Sequence, residues 1–209
     1  MITSTNNKIL RLANEVGQGQ IFTAKDAYAA CGEDRQNTVI KSLHDLVARG
    51  DLAKAGRGLY YLPFQVDGID MTGVYSQGGA IKRLWIDDVD KTIGYVSGPA
   101  LAAEFGFQTM LPAKVDVYTN NWRKCTSLSE QLNVRLHKPK EPVTNENAQE
   151  LRLLDSLVDS SAFDCDDEPA LIAQAVKNLG LSFKSLLARA DRQYPQDVFL
   201  RVARSFYTS

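Results

Sequence analysis

Five polar side chains crowd one short stretch of this sequence: Arg35, Gln36, Thr38, Lys41 and Ser42. Guanidinium, amide, hydroxyl and ammonium groups in that mix can donate to and accept from base edges in a DNA major groove. Two further pairs carry a simpler chemistry. Lys54 and Arg57 surround a tight glycine-flanked turn, where a cation would meet a phosphate or the minor groove. Thr23 and Lys25 open a helix, and a helix start offers phosphate a hydroxyl, an ammonium and free backbone N–H groups together. Asp45 and Asp51 count against this reading, since acids repel phosphate.

Enzyme chemistry has less to stand on. The only histidines are His44 and His137. A Cys125–His137 dyad is conceivable, yet no third group orients it and no nucleophile-elbow pattern accompanies it. Gly17-Gln-Gly19 is too short for a dinucleotide fingerprint and follows a helix, and no Walker loop exists. Cys31, Cys125 and Cys165 are far apart, so neither a disulfide framework nor a thiolate zinc site is indicated. Asp164, Asp166, Asp167 and Glu168 lack the glycine and terminal glutamate of a calcium loop. Asp87, Asp88 and Asp90 read as a polar turn before Thr92. The expectation is therefore a non-enzymatic protein with no metal and no cofactor.

Helix-forming sequence must hold the polar cluster in place. Ile9, Leu10, Ala13 and Val16 stripe a helix over Asn6 to Val16 that ends at Gly17 and Gly19. Ile21 and Phe22 make a short extended segment. Thr23 caps a second helix over Ala24 to Ala30, closed by Gly32. A third helix from about Asp34 to Arg49 buries Ile40, Leu43 and Val47, with Val39 and Leu46 beside them. Leu52–Ala55 and Leu59–Leu62 form a hairpin around Gly56-Arg57-Gly58. This order is that of a winged helix-turn-helix, and the cluster lies on its third helix. The same fold also serves protein contacts, so a module that binds a partner protein without specific DNA binding is the alternative.

The remaining chain is a small α/β region and then a helical tail. Met71 to Tyr75 and Ile81 to Ile86 are expected strands, joined at Gly78-Gly79. Ser97 is expected to cap a helix over Gly98–Phe105, with Pro99 in its first turn. Val115 to Thr119 and Leu132 to Leu136 alternate as strands. Further helices run from Ala148 to Val158, after Pro169 to Leu179, from Ser182 to Ala190, and from Pro195 to Phe206. The expected class is α+β, with boundaries at 1–63, 64–145 and 146–209, the last region packed on the middle one.

Charge follows these divisions. Over all 209 residues 24 basic side chains face 25 acidic ones, a net −1 that argues against nucleic acid. By region the balance is +2 over 1–63, zero over 64–145 and −3 over 146–209. The small basic excess sits with the polar cluster and the wing. No run reaches the roughly 18 apolar residues of a membrane span, and Met1 to Lys8 is polar, so a cytoplasmic location is expected.

Tyr95 to Asn121 resembles the corresponding segment of AbiEi-family antitoxins, through Ser97, Gly98, Ala100 or Ala102, Gly106, Pro112, Ala113, Lys114 and Thr119. Gly19 to Asp26 and the wing Arg57 to Pro63 are also similar to that family, most clearly within residues 5–160. The resemblance implies a bacterial antitoxin whose winged helix binds double-stranded DNA at inverted repeats in its own promoter and represses it. It also implies a nucleotidyltransferase-like toxin as partner, neutralised with the help of the second domain. An inverted-repeat operator suggests two copies on DNA.

Overall fold

The computed structural model describes residues 4–32, 35–88, 90–106, 113–123, 126–158 and 167–207. The chain forms two compact units, Met1–Leu84 and Trp85–Ser209, and its class is α+β.

In the first unit α1 (Thr5–Val16) starts where the Ser4 hydroxyl accepts from the Asn7 N–H, and it buries Ile9 and Ala13. Then come β1 (Ile21–Thr23), α2 (Ala24–Cys31), α3 (Gln36–Ala48), β2 (Ala53–Gly56) and β3 (Leu59–Tyr61). The strands form one antiparallel sheet in the order β1-β3-β2. Gly56 pairs with Leu59, so Arg57 and Gly58 alone make the turn, with Gly58 at a φ of 73° that favours glycine. Ile9, Ala13, Phe22, Ala27, Val39, Leu43 and Leu46 are buried together as the core beneath the three helices.

The third helix is turned slightly from its expected phase. Val39, Ser42, Leu43 and Leu46 face inward, while Ile40 is 40% exposed. Val39 and Ile40 are adjacent apolar residues, and the inward row passes through Val39 because Leu43 and Leu46 lie four and seven positions on.

A hairpin of β4 (Gln65–Val66) and β5 (Ile69–Asp70) follows. Neither expected strand in the next segment forms. Residues 71–76 are irregular, and Gln77–Ile81 is a helix, α4, capped where the Ser76 hydroxyl accepts from the Gly79 N–H at 3.0 Å. The backbone continues as one π-helical turn, Lys82–Ile86. Ala80, Ile81 and Trp85 are buried, at the spacing of one helical turn. A short apolar run of this kind fits a buried helix as well as a strand.

The second unit opens with a small hairpin, β6 (Asp87–Asp88) and β7 (Lys91–Thr92). Next come β8 (Gly94–Ser97), α5 (Pro99–Glu104), β9 (Val115–Thr119), α6 (Thr126–Gln131) and β10 (Val134–His137). The sheet order is β10-β9-β8, with β8 antiparallel and β10 parallel to β9. A parallel pair needs a crossover connection, and α6 lies in it. Ser97 does not cap α5. It ends β8, and its hydroxyl donates to the Arg152 carbonyl at 3.1 Å. The cap position is Gly98, at φ 74°, where a Cβ would lie 3.1 Å from that of Asp116. Backbone sign and space both require glycine there.

Four helices complete this unit: α7 (Ala148–Val158), α8 (Glu168–Asn178), α9 (Phe183–Gln193) and α10 (Gln196–Phe206). Leu151, Leu153, Leu154 and Leu157 of α7 share a core with Tyr95 of β8, Ile172 and Val176 of α8, Leu186 of α9, and Val198 and Val202 of α10. Among the described residues no helix is long and apolar enough to cross a membrane.

Candidate nucleic-acid interface

Packing on the Val39–Leu43–Leu46 row fixes what α3 presents outward. Gln36, Thr38 and Lys41 are exposed, as is Arg35 at the N-cap. Ser42 departs from the expected set. It is 8% exposed on the inward face, too deep to reach a base edge. Two residues outside that set belong to the outer row. Asn37 and His44 are exposed and stand four before and three after Lys41, on one helical face. Phasing the helix on the Leu43/Leu46 spacing would have found them in the sequence. An amide at Asn37 has the paired donor and acceptor that reads adenine.

The wing carries its cations into solvent. Lys54 on β2 and Arg57 at the turn are exposed. A register shift between Lys54 and Gly56 bends β2 just before the turn. Among the described residues no carboxylate pairs with Lys41, Lys54 or Arg57, whereas Arg49 holds Asp51 at 2.9 Å and Arg11 holds Glu15 at 2.9 Å. The acid at position 51 is thus neutralised locally, and Asp45 is the exposed acid left on the α3 surface.

The start of α2 is tied to the wing. The Ala24 N–H donates to the Gly58 carbonyl at 3.0 Å, so Lys25 and Arg57 each neighbour one end of that bond. Thr23 makes a full capping box. The Asp26 N–H donates to the Thr23 hydroxyl at 3.1 Å, and the Thr23 N–H donates to the Asp26 carboxylate at 2.8 Å. The Thr23 hydroxyl also donates to Asp26, at 3.0 Å. A hydroxyl has one proton and phosphate oxygens only accept, so Thr23 has none left for a phosphate. Its place in the site is to hold the helix start beside which Lys25 stands.

The second unit gathers polar groups of another kind. Asp155, 2% exposed on α7, accepts from the Tyr95 hydroxyl at 2.5 Å. Burial first, and the Asp155 charge second, push both the Tyr95 and Tyr194 hydroxyls far above their ordinary range, so both stay protonated. The Tyr95, Tyr118 and His137 rings stack in sequence, with centroids 5.5 and 4.7 Å apart. His137 Nε2 lies 2.6 Å from Asp116 Oδ1, and the Arg135 guanidinium 3.4 Å from the same oxygen. These contacts occupy His137 with Asp116 and Tyr118. Cys125, its conceived dyad partner, lies outside the described residues, as do Asp164 and Asp166 of the acidic cluster. Asp87 and Asp88 lie in the β6–β7 hairpin, as a polar turn requires. Among the described residues no group of three or more His, Cys, Asp or Glu is placed to hold a metal.

Comparison with known families places the first of these two sites. The sequence model of a family described as "Transcriptional regulator, AbiEi antitoxin" matches residues 10–63, from within α1 to the end of the wing. The resemblance carried by Gly19–Asp26 and Arg57–Pro63 falls inside that match. The segment Tyr95 to Asn121 falls beyond it. No curated protein matches the chain.

Proposed function

We propose that this chain, whose winged-helix segment belongs to the AbiEi antitoxin transcriptional regulators, represses its own toxin–antitoxin operon and neutralises a nucleotidyltransferase-like toxin. One observation carries the DNA reading. The family match covers the segment whose outer surface presents polar α3 side chains between unpaired cations. In this reading α3 enters the major groove, with Gln36, Asn37, Thr38 and Lys41 toward base edges and Ile40 against a thymine methyl. Arg35 and Lys25 meet phosphates, and Lys54 and Arg57 track the backbone beside the wing. Two copies occupy the two halves of an inverted repeat, because the net +2 of one winged helix supports only weak, salt-sensitive binding.

A gel shift on the chain's own upstream DNA, run across a salt series, tests this. The expected result is a complex at low salt that prefers the promoter over random duplex and weakens steeply with salt. Equal binding to both duplexes, or none at low salt, overturns it and leaves the protein-contact module. Neutralisation is tested by growth rescue when chain and neighbouring toxin gene are expressed together. No rescue removes the antitoxin part of the reading.

A further inference from the structure

After β10 the chain lines a groove of about 430 Å³, the size of a small-ligand site, in the second unit. Its walls are already fixed. The Asn120 side chain donates to the Val143 carbonyl at 3.0 Å and accepts from the Val143 N–H at 2.9 Å, which closes the loop over 138–143. Glu141, the acid of the lining, is consumed by neighbours. Arg189 pairs with it, Asn147 donates to it at 3.1 Å and Gln193 donates to it at 2.8 Å. Lys138 and Lys140 thus set the charge of the groove. Lys140 is steadied with its ammonium 4.9 Å from the Tyr194 ring centroid.

The groove also has an aromatic wall, Trp122. The Arg123 guanidinium stands 4.5 Å over the Trp122 ring, which covers one face and leaves the other for stacking. Two ammonium groups two residues apart, an indole and proline surfaces together suit a ligand with a planar ring and a phosphate. Stacking on an aromatic side chain with cations along a phosphate is how proteins hold nucleotides without reading a sequence. We infer that this groove binds a free nucleoside phosphate, its base on Trp122 and its phosphates on Lys138 and Lys140. The DNA reading of the winged helix plays no part in this inference.

Isothermal titration of the full chain with ATP, adenosine and tripolyphosphate tests it. Saturable one-to-one binding of ATP is expected, at least tenfold tighter than either fragment. The double variant Lys138→Ala/Lys140→Ala and the single variant Trp122→Leu should each weaken ATP at least tenfold while keeping the wild-type urea midpoint. If Trp122→Leu fails to fold, the lysine variant alone decides. No saturable binding at millimolar ATP overturns the inference, as does tripolyphosphate binding as well as ATP, which would be charge alone. Variants that bind like the wild type would place the site elsewhere. A short oligoadenylate that binds far tighter than ATP through the same residues would replace the free nucleotide with a strand.

Discussion

Lys41, Lys54 and Arg57 of the first unit meet no carboxylate among the described residues, while the second unit turns its charges on one another. There Asp116 takes His137 and Arg135, Glu150 takes Arg189, and Glu168 takes Arg201. The contrast separates two uses of polar groups. An exposed unpaired cation is solvated, so it costs the fold nothing and is free to gain from a polyanion. A buried polar group must be satisfied within the chain, and removing one partner leaves the other stranded. Substitutions in the first unit should therefore change binding and spare stability, and substitutions in the second should do the reverse.

The sharpest break is at Asp155. Asp155→Ala leaves the buried Tyr95 hydroxyl without its acceptor, and should cost about 3 kcal/mol in urea unfolding. Asp155→Asn should cost less, since the amide oxygen still accepts. A loss in the alanine variant no larger than a surface change would remove the contrast. The same network predicts an alkaline weakness. Tyr95 and Tyr194 have folded pKa values raised above the unfolded value of about 10. Above that pH the unfolded chain releases their protons and the folded chain keeps them, so the unfolded state binds fewer protons. Stability is whole below pH ~10 and falls above it, by roughly 1.4 kcal/mol per pH unit for each tyrosine. Urea unfolding between pH 9.5 and 11 should show the fall, and Tyr95→Phe should remove about half of the part these two contribute.

The two units were also unequally legible in the sequence. The winged helix could be read because each of its signals is local: a threonine cap with Asp26 three residues on, helix-closing glycines, and Gly56-Arg57-Gly58 between β-prone runs. Its one error was rotational. Val39 and Ile40 are adjacent and apolar, and only tertiary packing chooses between them, which moved Ser42 inward and brought Asn37 and His44 into the outer row. In the second unit β9 and the tail helices were legible from alternation and helical stripes. The strand β8 was not, because Gly94–Ser97 is short and carries glycine, and its pairing with β9 is long-range. The parallel β9–β10 pairing leaves no local mark, since the crossover connects it. Asp155 gave no signal either. It reads as one more polar residue in a leucine-rich helix, and only the fold brings Tyr95 to it.

At the DNA face the expected changes are smaller in stability and visible in affinity. Lys41→Ala combined with Arg57→Ala should weaken promoter binding about tenfold or more at low salt. It should also reduce the slope of log affinity against log salt by about 2, one for each lost phosphate contact, if both cations meet phosphate. A smaller drop in slope with a greater loss of promoter preference would assign Lys41 to a base edge. The urea midpoint should stay at the wild-type value, because neither side chain has an internal carboxylate partner among the described residues. A shifted midpoint would blur the division between the units.

Thr23 lies where that division is hardest to draw, since the sequence offers it as a phosphate contact and the fold uses it as a cap. Its single hydroxyl proton goes to Asp26, and its oxygen accepts from the Asp26 N–H. Thr23→Ala should therefore cost about 1 kcal/mol of stability, the usual worth of a lost N-cap. Thr23→Ser keeps the hydroxyl and should recover most of it. Neither variant should alter the salt slope of DNA binding, because no counterion-releasing contact is lost. A serine variant that is stable while the alanine variant loses a full unit of salt slope would show the opposite. The hydroxyl would then turn from Asp26 to the phosphate on binding, and the first unit too would be spending an internal bond on its ligand.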